Sequence, residues 1–151
     1  VAGMMETIYE YDIDTHELKE ELVSFPNLTY FDNGVIEAGW AHNQGKAGNH
    51  FWPYTLYQYH SQSDSYETIA SVDAWDKSYT EEIYSEEEFP SKQDKDGDGM
   101  IYYIMSGDSF DYDNPVDLDE YDNWRNQYTE KATKVKILYQ NLTEENINQL
   151  S

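Results

Sequence analysis

Leu28-Thr29-Tyr30-Phe31, then Asp32-Asn33-Gly34, then Val35-Ile36-Glu37-Ala38-Gly39-Trp40-Ala41: two β-prone runs flank a short turn cluster. Asn and Gly tolerate the left-handed backbone that tight connections need, so the stretch reads as a β-hairpin. The same style extends in both directions. Thr7-Ile8-Tyr9-Glu10-Tyr11 is β-prone and residues 12–15 form a turn. Residues 16–25 alternate in part, with Leu18, Leu22 and Val23 apolar, until Pro26 stops them. Residues 42–50 are polar, hold two glycines and read as a loop. Residues 51–59 are dense in aromatics. Pro53 offers no amide donor, which places this strand at a sheet edge or puts the proline at its start.

Residues 66–72 resume β character and run toward Trp75, while 76–93 are polar and read as a helical turn or a loop. Met100-Ile101-Tyr102-Tyr103-Ile104-Met105 is a continuous apolar run, the pattern of a buried strand. Asp117-Leu118-Asp119-Glu120 has the form of a capping box, an acceptor side chain with Glu three residues later. Tyr121, Trp124 and Tyr128 then recur at helical spacing, which predicts a helix over 118–128. Residues 134–139 (KVKILY) read as another strand, and Thr143-Glu144-Glu145-Asn146-Ile147 as a capped helical turn. The expected architecture is α+β and mainly β. It is a single domain over 1–151, with an antiparallel sheet of six to eight strands in hairpins and one or two C-terminal helices.

Composition narrows the partners. The 151 residues carry 31 acidic and 9 basic side chains, a net charge of -22. Such a chain repels phosphate, so nucleic acid and anionic membranes are poor partners, and no nucleic-acid partner is expected. Cations, basic proteins and neutral glycans remain. Fifteen of the acidic residues fall between Glu81 and Asp122 against Lys92 and Lys95, a local charge of -13. There is no cysteine, which rules out disulfides, thiolate metal sites and thiol nucleophiles. No apolar run is long enough for membrane insertion. The sequence begins Val1-Ala2-Gly3, which reads as a trimmed or processed piece of a longer protein.

The chemistry is concentrated in Asp94-Lys95-Asp96-Gly97-Asp98-Gly99. Alternate carboxylates followed by glycine open a calcium loop, because a hard cation wants several oxygens converging from a sharply turned backbone. Asp94, Asp96 and Asp98 are the expected side-chain ligands of a Ca²⁺ ion, and the carbonyl of Met100 the next. A twelve-residue hand would require glutamate where Met105 stands, and a nine-residue loop would require an acid where Tyr102 stands. Closing ligands are therefore expected from Asp108, Asp111 or Asp113, or from water. The competing reading is a hairpin tip, since Asp and Gly are turn residues in their own right.

The acidic hexad, hairpins rich in Tyr and Asn, Tyr121-Asp122-Asn123-Trp124 and the ending Leu142-Thr143-Glu144-Glu145-Asn146-Ile147 together resemble uncharacterised secreted or lipid-anchored β-rich proteins of Gram-positive bacteria. That resemblance implies an extracellular or cell-surface location and a β-rich fold, and no activity. Trp40, Trp52, Tyr54 and Trp75 are the candidate ligand-binding aromatics, a platform on which sugar rings could stack; packing of a sheet core is the alternative. His42, His50 and His60 match no metal motif and read as loop residues. There is no GxSxG elbow, and 31 acids make any carboxylate pair uninformative as a glycosidase signature. The sequence thus favours a non-enzymatic, calcium-stabilised module that binds a glycan or a surface protein. The alternative is a hydrolase, or a fragment of one, with an acidic cleft.

Overall fold

The computed structural model describes residues 4–42, 45–79, 88–107, 109, 111–141 and 143–149. Seven strands lie among them: β1 (Glu6–Asp12), β2 (Glu17–Ser24), β3 (Leu28–Tyr30), β4 (Val35–Gly39), β5 (Tyr54–His60), β6 (Ser65–Asp76) and β7 (Met100–Ser106). A helical turn at 77–79 follows β6, and two helices close the chain, α1 (Leu118–Thr129) and α2 (Glu144–Asn148). The fold is mainly β, and every pairing between these strands is antiparallel. β1 and β2 pair as a two-stranded sheet, and β3-β4-β5-β6-β7 form a five-stranded meander in sequence order. Lys19 of β2 ties the small sheet to the large one by donating to the Asp64 carbonyl (3.0 Å) and carboxylate in the β5–β6 turn.

The hairpin that anchors the sequence reading forms with Leu28 opposite Ala38 and Tyr30 opposite Ile36. Its turn is a three-residue loop. The Gly34 amide donates to Phe31 (3.2 Å), the Phe31 amide donates to Val35 (2.9 Å), and Gly34 sits at φ +83°. A Cβ on Gly34 would stand 3.2 Å from Gln58 Nε2 and 3.3 Å from Tyr59 Cβ. Gly34→Ala is therefore expected to destabilise by about 1–2 kcal/mol from the left-handed backbone alone, with crowding added. Urea unfolding measures this, and an unchanged midpoint would mean that the turn tolerates a side chain.

Pro53 immediately precedes β5, which lies inside the sheet between β4 and β6. Of the two sequence options for this proline, the start of the strand is the one realised, and its carbonyl accepts the Trp40 amide (2.9 Å). The apolar run of β7 is explained by coverage on both faces. Tyr102 joins Tyr54, Leu56, Val72 and Tyr121 beneath α1. Ile101, Tyr103 and Met105 pack with Trp75 and Phe89 on the opposite face. The outer edge of β7 is bridged by Val116, which exchanges both backbone bonds with Tyr102 at 2.8 Å.

α1 begins where the capping box places it, and Glu120 Oε2 accepts the Asp117 amide at 3.2 Å. Tyr121 anchors the helix. Its ring stacks on Tyr102 (centroids 4.4 Å apart, planes 5° apart), and its hydroxyl bonds Tyr54 Oη (2.9 Å) and Arg125 Nη1 (3.1 Å). α2 is capped by Thr143, whose hydroxyl accepts the Asn146 amide.

The strand expected at 134–139 does not form. A single bridge joins Lys134 to Phe31, and the Val135 amide donates to Tyr30 (2.8 Å). β3 offers only a three-residue edge, and beyond it Asn27 turns away at φ +67°. With no longer edge to pair against, residues 135–140 stay irregular.

Candidate metal centre

Residues 94–99 lead directly into β7, and the loop is bent by two left-handed glycines, Gly97 (φ +75°) and Gly99 (φ +84°). Its aspartates fold inward onto the backbone. Asp94 accepts the amides of Gly97 (2.9 Å) and Gly99 (3.2 Å), Asp96 accepts that of Asp98 (3.0 Å), and Asp98 accepts that of Met100 (2.7 Å). The Gly99 carbonyl is held by the Lys77 amide (2.9 Å), which fixes the loop beside the end of β6.

The decisive neighbour comes from elsewhere in the chain. Asp117, the N-cap of α1, accepts the amides of Lys95 (2.9 Å) and Asp96 (3.1 Å) through Oδ2. One oxygen each from Asp94, Asp96 and Asp117 lies within 4.8 Å of the others. That spacing is physically telling. Calcium holds its oxygens at about 2.3–2.6 Å, so two ligands of one ion are at most about 5 Å apart. The three carboxylates are also held by backbone amides: Asp94 accepts two, Asp96 one and Asp117 two.

Asp98 is exposed and stands outside the group of three. Burial raises its carboxyl above the usual range, backbone bonding from Met100 opposes this, and the charges of Asp96, Asp94 and Asp117 add to the rise. It therefore feels the cluster without sharing its close packing. Of the reserve ligands named from sequence, Asp111 and Asp113 are exposed and belong to no such group, and Asp108 lies outside the described residues. Asp117 was missed as a site residue because its local pattern reads fully as a helix cap. Its second role depends on a contact between distant parts of the chain.

The four aromatic candidates do not share a surface. Tyr54 is buried under α1, and Trp75 is buried on the opposite face beneath Lys46 and against Phe89. Trp40 and Trp52 do meet: Trp52 Nε1 donates to the Trp40 carbonyl (2.8 Å), and Trp40 Nε1 donates to Thr55 Oγ1 (3.1 Å). Trp52 is the one of the four that is broadly exposed, at 49%. His50 pairs with Asp76 and His60 with Glu67, so the structure does not gather them into one site.

A second acidic group, Glu10, Glu21 and Asp64, also has converging oxygens, but Lys19 sits against both Glu21 and Asp64. Asp73 is the buried carboxylate that burial pushes up, and it accepts the Ala74 amide (2.8 Å) and the Tyr112 hydroxyl (3.2 Å). That is the environment of a satisfied interior acid rather than of a general acid in an open cleft.

Compared with protein-family models, with curated proteins and with solved structures, the chain finds no match. Among the described residues no helix is long and apolar enough to cross a membrane.

Proposed function

We propose that this chain is a secreted or cell-surface binding module stabilised by a calcium ion, with a glycan or another surface protein as its partner. The observation that carries the reading is the convergence of Asp94, Asp96 and Asp117 at the spacing a calcium ion would span. Three carboxylates with little further closure suit an affinity in the range of extracellular modules, roughly 10⁻⁴ to 10⁻³ M, where calcium is abundant. The resemblance of the hexad and its flanks to surface proteins of Gram-positive bacteria points the same way. The binding face is built around Trp52, whose indole is pinned at its edge by the Trp40 carbonyl while half of it faces solvent.

A glycan array in millimolar calcium tests the partner. Trp52→Ala is expected to weaken any glycan bound by about tenfold or more, since ~1.4 kcal/mol of lost stacking is a factor of ten. Stability should fall by about 1–3 kcal/mol, because the buried half of the indole is lost together with its hydrogen bond. A glycan that binds the Trp52→Ala protein as well as the wild type moves the binding face elsewhere. No binding to any glycan leaves the surface-protein partner.

A further inference from the structure

The geometry points to the free edge of β1 as a docking strand for an extended basic segment of a partner protein, one whose arginines or lysines alternate with apolar residues. The surface involves neither the 94–99 loop nor Trp52, so it stands whether or not calcium binds. β1 pairs with β2 alone, and among the described residues no other strand, bridge or backbone hydrogen bond from outside the hairpin reaches it. A two-stranded ribbon is marginally stable by itself, and a third strand supplies what it lacks. This ribbon is held in place for one. Lys19 ties it to the β5–β6 turn at Asp64, and the Tyr11 hydroxyl bonds His16 Nδ1 across the tip (2.6 Å). An edge fixed in advance lowers the ordering cost of binding.

The two faces of β1 specify the partner. Side chains alternate along a strand, and residues directly opposite each other share a face. Tyr9 and Tyr11 share one face with Glu20 and Leu18, and both tyrosines and Leu18 are more than half exposed. Glu10 and Asp12 share the other with Lys19 and Glu17. Glu10, Asp12, Glu17 and Asp64 supply the carboxylates of an open groove along the hairpin, and Lys19, the one cation that lines it, is already paired with Glu21 and Asp64. A strand laid against β1 therefore meets carboxylates on one side and aromatic and aliphatic surface on the other. Charge-assisted bonds from arginine or lysine suit the first, and apolar side chains suit the second.

A second copy of the chain does not suit this edge. Residues 6–24 carry seven acidic side chains against one lysine. Antiparallel pairing of two β1 strands centred on Tyr11 sets Glu10 opposite Asp12, and centring on Glu10 sets that residue opposite itself. Like charges directly opposite are destabilising. The same acids that discourage self-pairing select a basic strand.

The experiment is calorimetric titration of the full chain with two capped synthetic octapeptides, paired with hydrogen exchange of the β1 amides. One peptide alternates arginine with valine. The other holds the same residues as a block of arginines followed by a block of valines. The alternating peptide is expected to bind at least about tenfold more tightly than the block peptide and to slow exchange over residues 9–12. Glu10→Gln combined with Glu17→Gln should weaken its binding by about tenfold, whereas Glu144→Gln, an exposed acid of α2, should change little.

Equal affinity for the two peptides reduces the effect to bulk charge and overturns the inference. Binding that leaves exchange over 9–12 unchanged, binding that the double variant retains in full, or no binding of either peptide overturns it as well. Protection of 9–12 that grows with protein concentration in the absence of peptide would assign the edge to a second copy instead. If the double variant does not fold, the two peptides compared on the wild type decide.

Discussion

Tyr121→Ala is expected to destabilise the protein by about 3–5 kcal/mol, the range for removing a large aromatic from a core. For a chain of this size that is a fall in Tm of roughly 6–20 °C. The reason is the number of roles that one ring fills. It is 5% exposed, stacks on Tyr102, meets Phe51 edge-on at 5.9 Å, and bonds both Tyr54 and Arg125 through its hydroxyl. The offset or edge-to-face contacts of such rings are worth about 0.5–1.5 kcal/mol each beyond their burial. Tyr121→Phe separates the contributions. It keeps the stack and leaves the Tyr54 hydroxyl and Arg125 Nη1 short of a partner, at a cost of about 1–3 kcal/mol. Burial drives the Tyr54 hydroxyl far above the ordinary tyrosine value, so it remains neutral across the pH range of such an experiment. Leu138→Ala is the control. That side chain is 77% exposed, and the expected change is within about 0.5 kcal/mol. Urea unfolding followed by far-UV circular dichroism gives all three values. A loss below about 1 kcal/mol for Tyr121→Ala would mean that α1 is not held by this ring.

The parts of the fold that were legible from sequence are those where local chemistry and burial agree. Asp32-Asn33-Gly34 specifies a turn, and the apolar runs beside it specify what the turn connects. Asp117 and Glu120 specify the start of α1, and the spacing of Tyr121, Trp124 and Tyr128 specifies the face it buries. Residues 134–139 show the limit. Their alternation suits a strand, but a strand exists only where an edge is available to pair with, and β3 is too short to supply one. Edge length is a property of the whole topology and cannot be seen in the segment itself. The division of the sheets was hidden for the same reason: nothing local in β1 or β2 says that they pair with each other apart from the five-stranded meander.

The candidate site divides in the same way. Alternating Asp94, Asp96 and Asp98 announce a cation from local pattern, whereas Asp117 enters through bonds to Lys95 and Asp96 that span 22 and 21 positions. Aromatic residues mislead most, because a tyrosine or tryptophan looks alike whether it packs a core or meets a ligand. Tyr54 and Trp75 are buried in different clusters, and only their neighbours on adjacent strands decide that.

Adding calcium to protein stripped with a chelator is expected to raise Tm by about 5–10 °C. A ligand at about a hundred times its Kd stabilises the folded state by ~2.7 kcal/mol, the condition met at about 10 mM calcium for a site of about 10⁻⁴ M. For a chain of this length each kcal/mol corresponds to roughly 2–4 °C. Replacing Asp94, Asp96 and Asp98 together by alanine should abolish the increment. Asp98→Ala alone should remove less of it than Asp96→Asn, since Asp98 lies outside the close group and Asp96 within it. Magnesium should give a smaller rise, because it demands octahedral geometry and gives up its waters reluctantly. Acid supplies an independent check on mechanism. The ligands must be deprotonated to bind, so the increment should shrink as the pH falls toward the ordinary aspartate value of about 3.9. Differential scanning calorimetry across calcium concentration and pH measures each of these. A melt that does not move across millimolar calcium at neutral pH would mean that the three carboxylates hold their positions through amide bonds alone. In that case the case for an extracellular, cation-stabilised module would lose its main support.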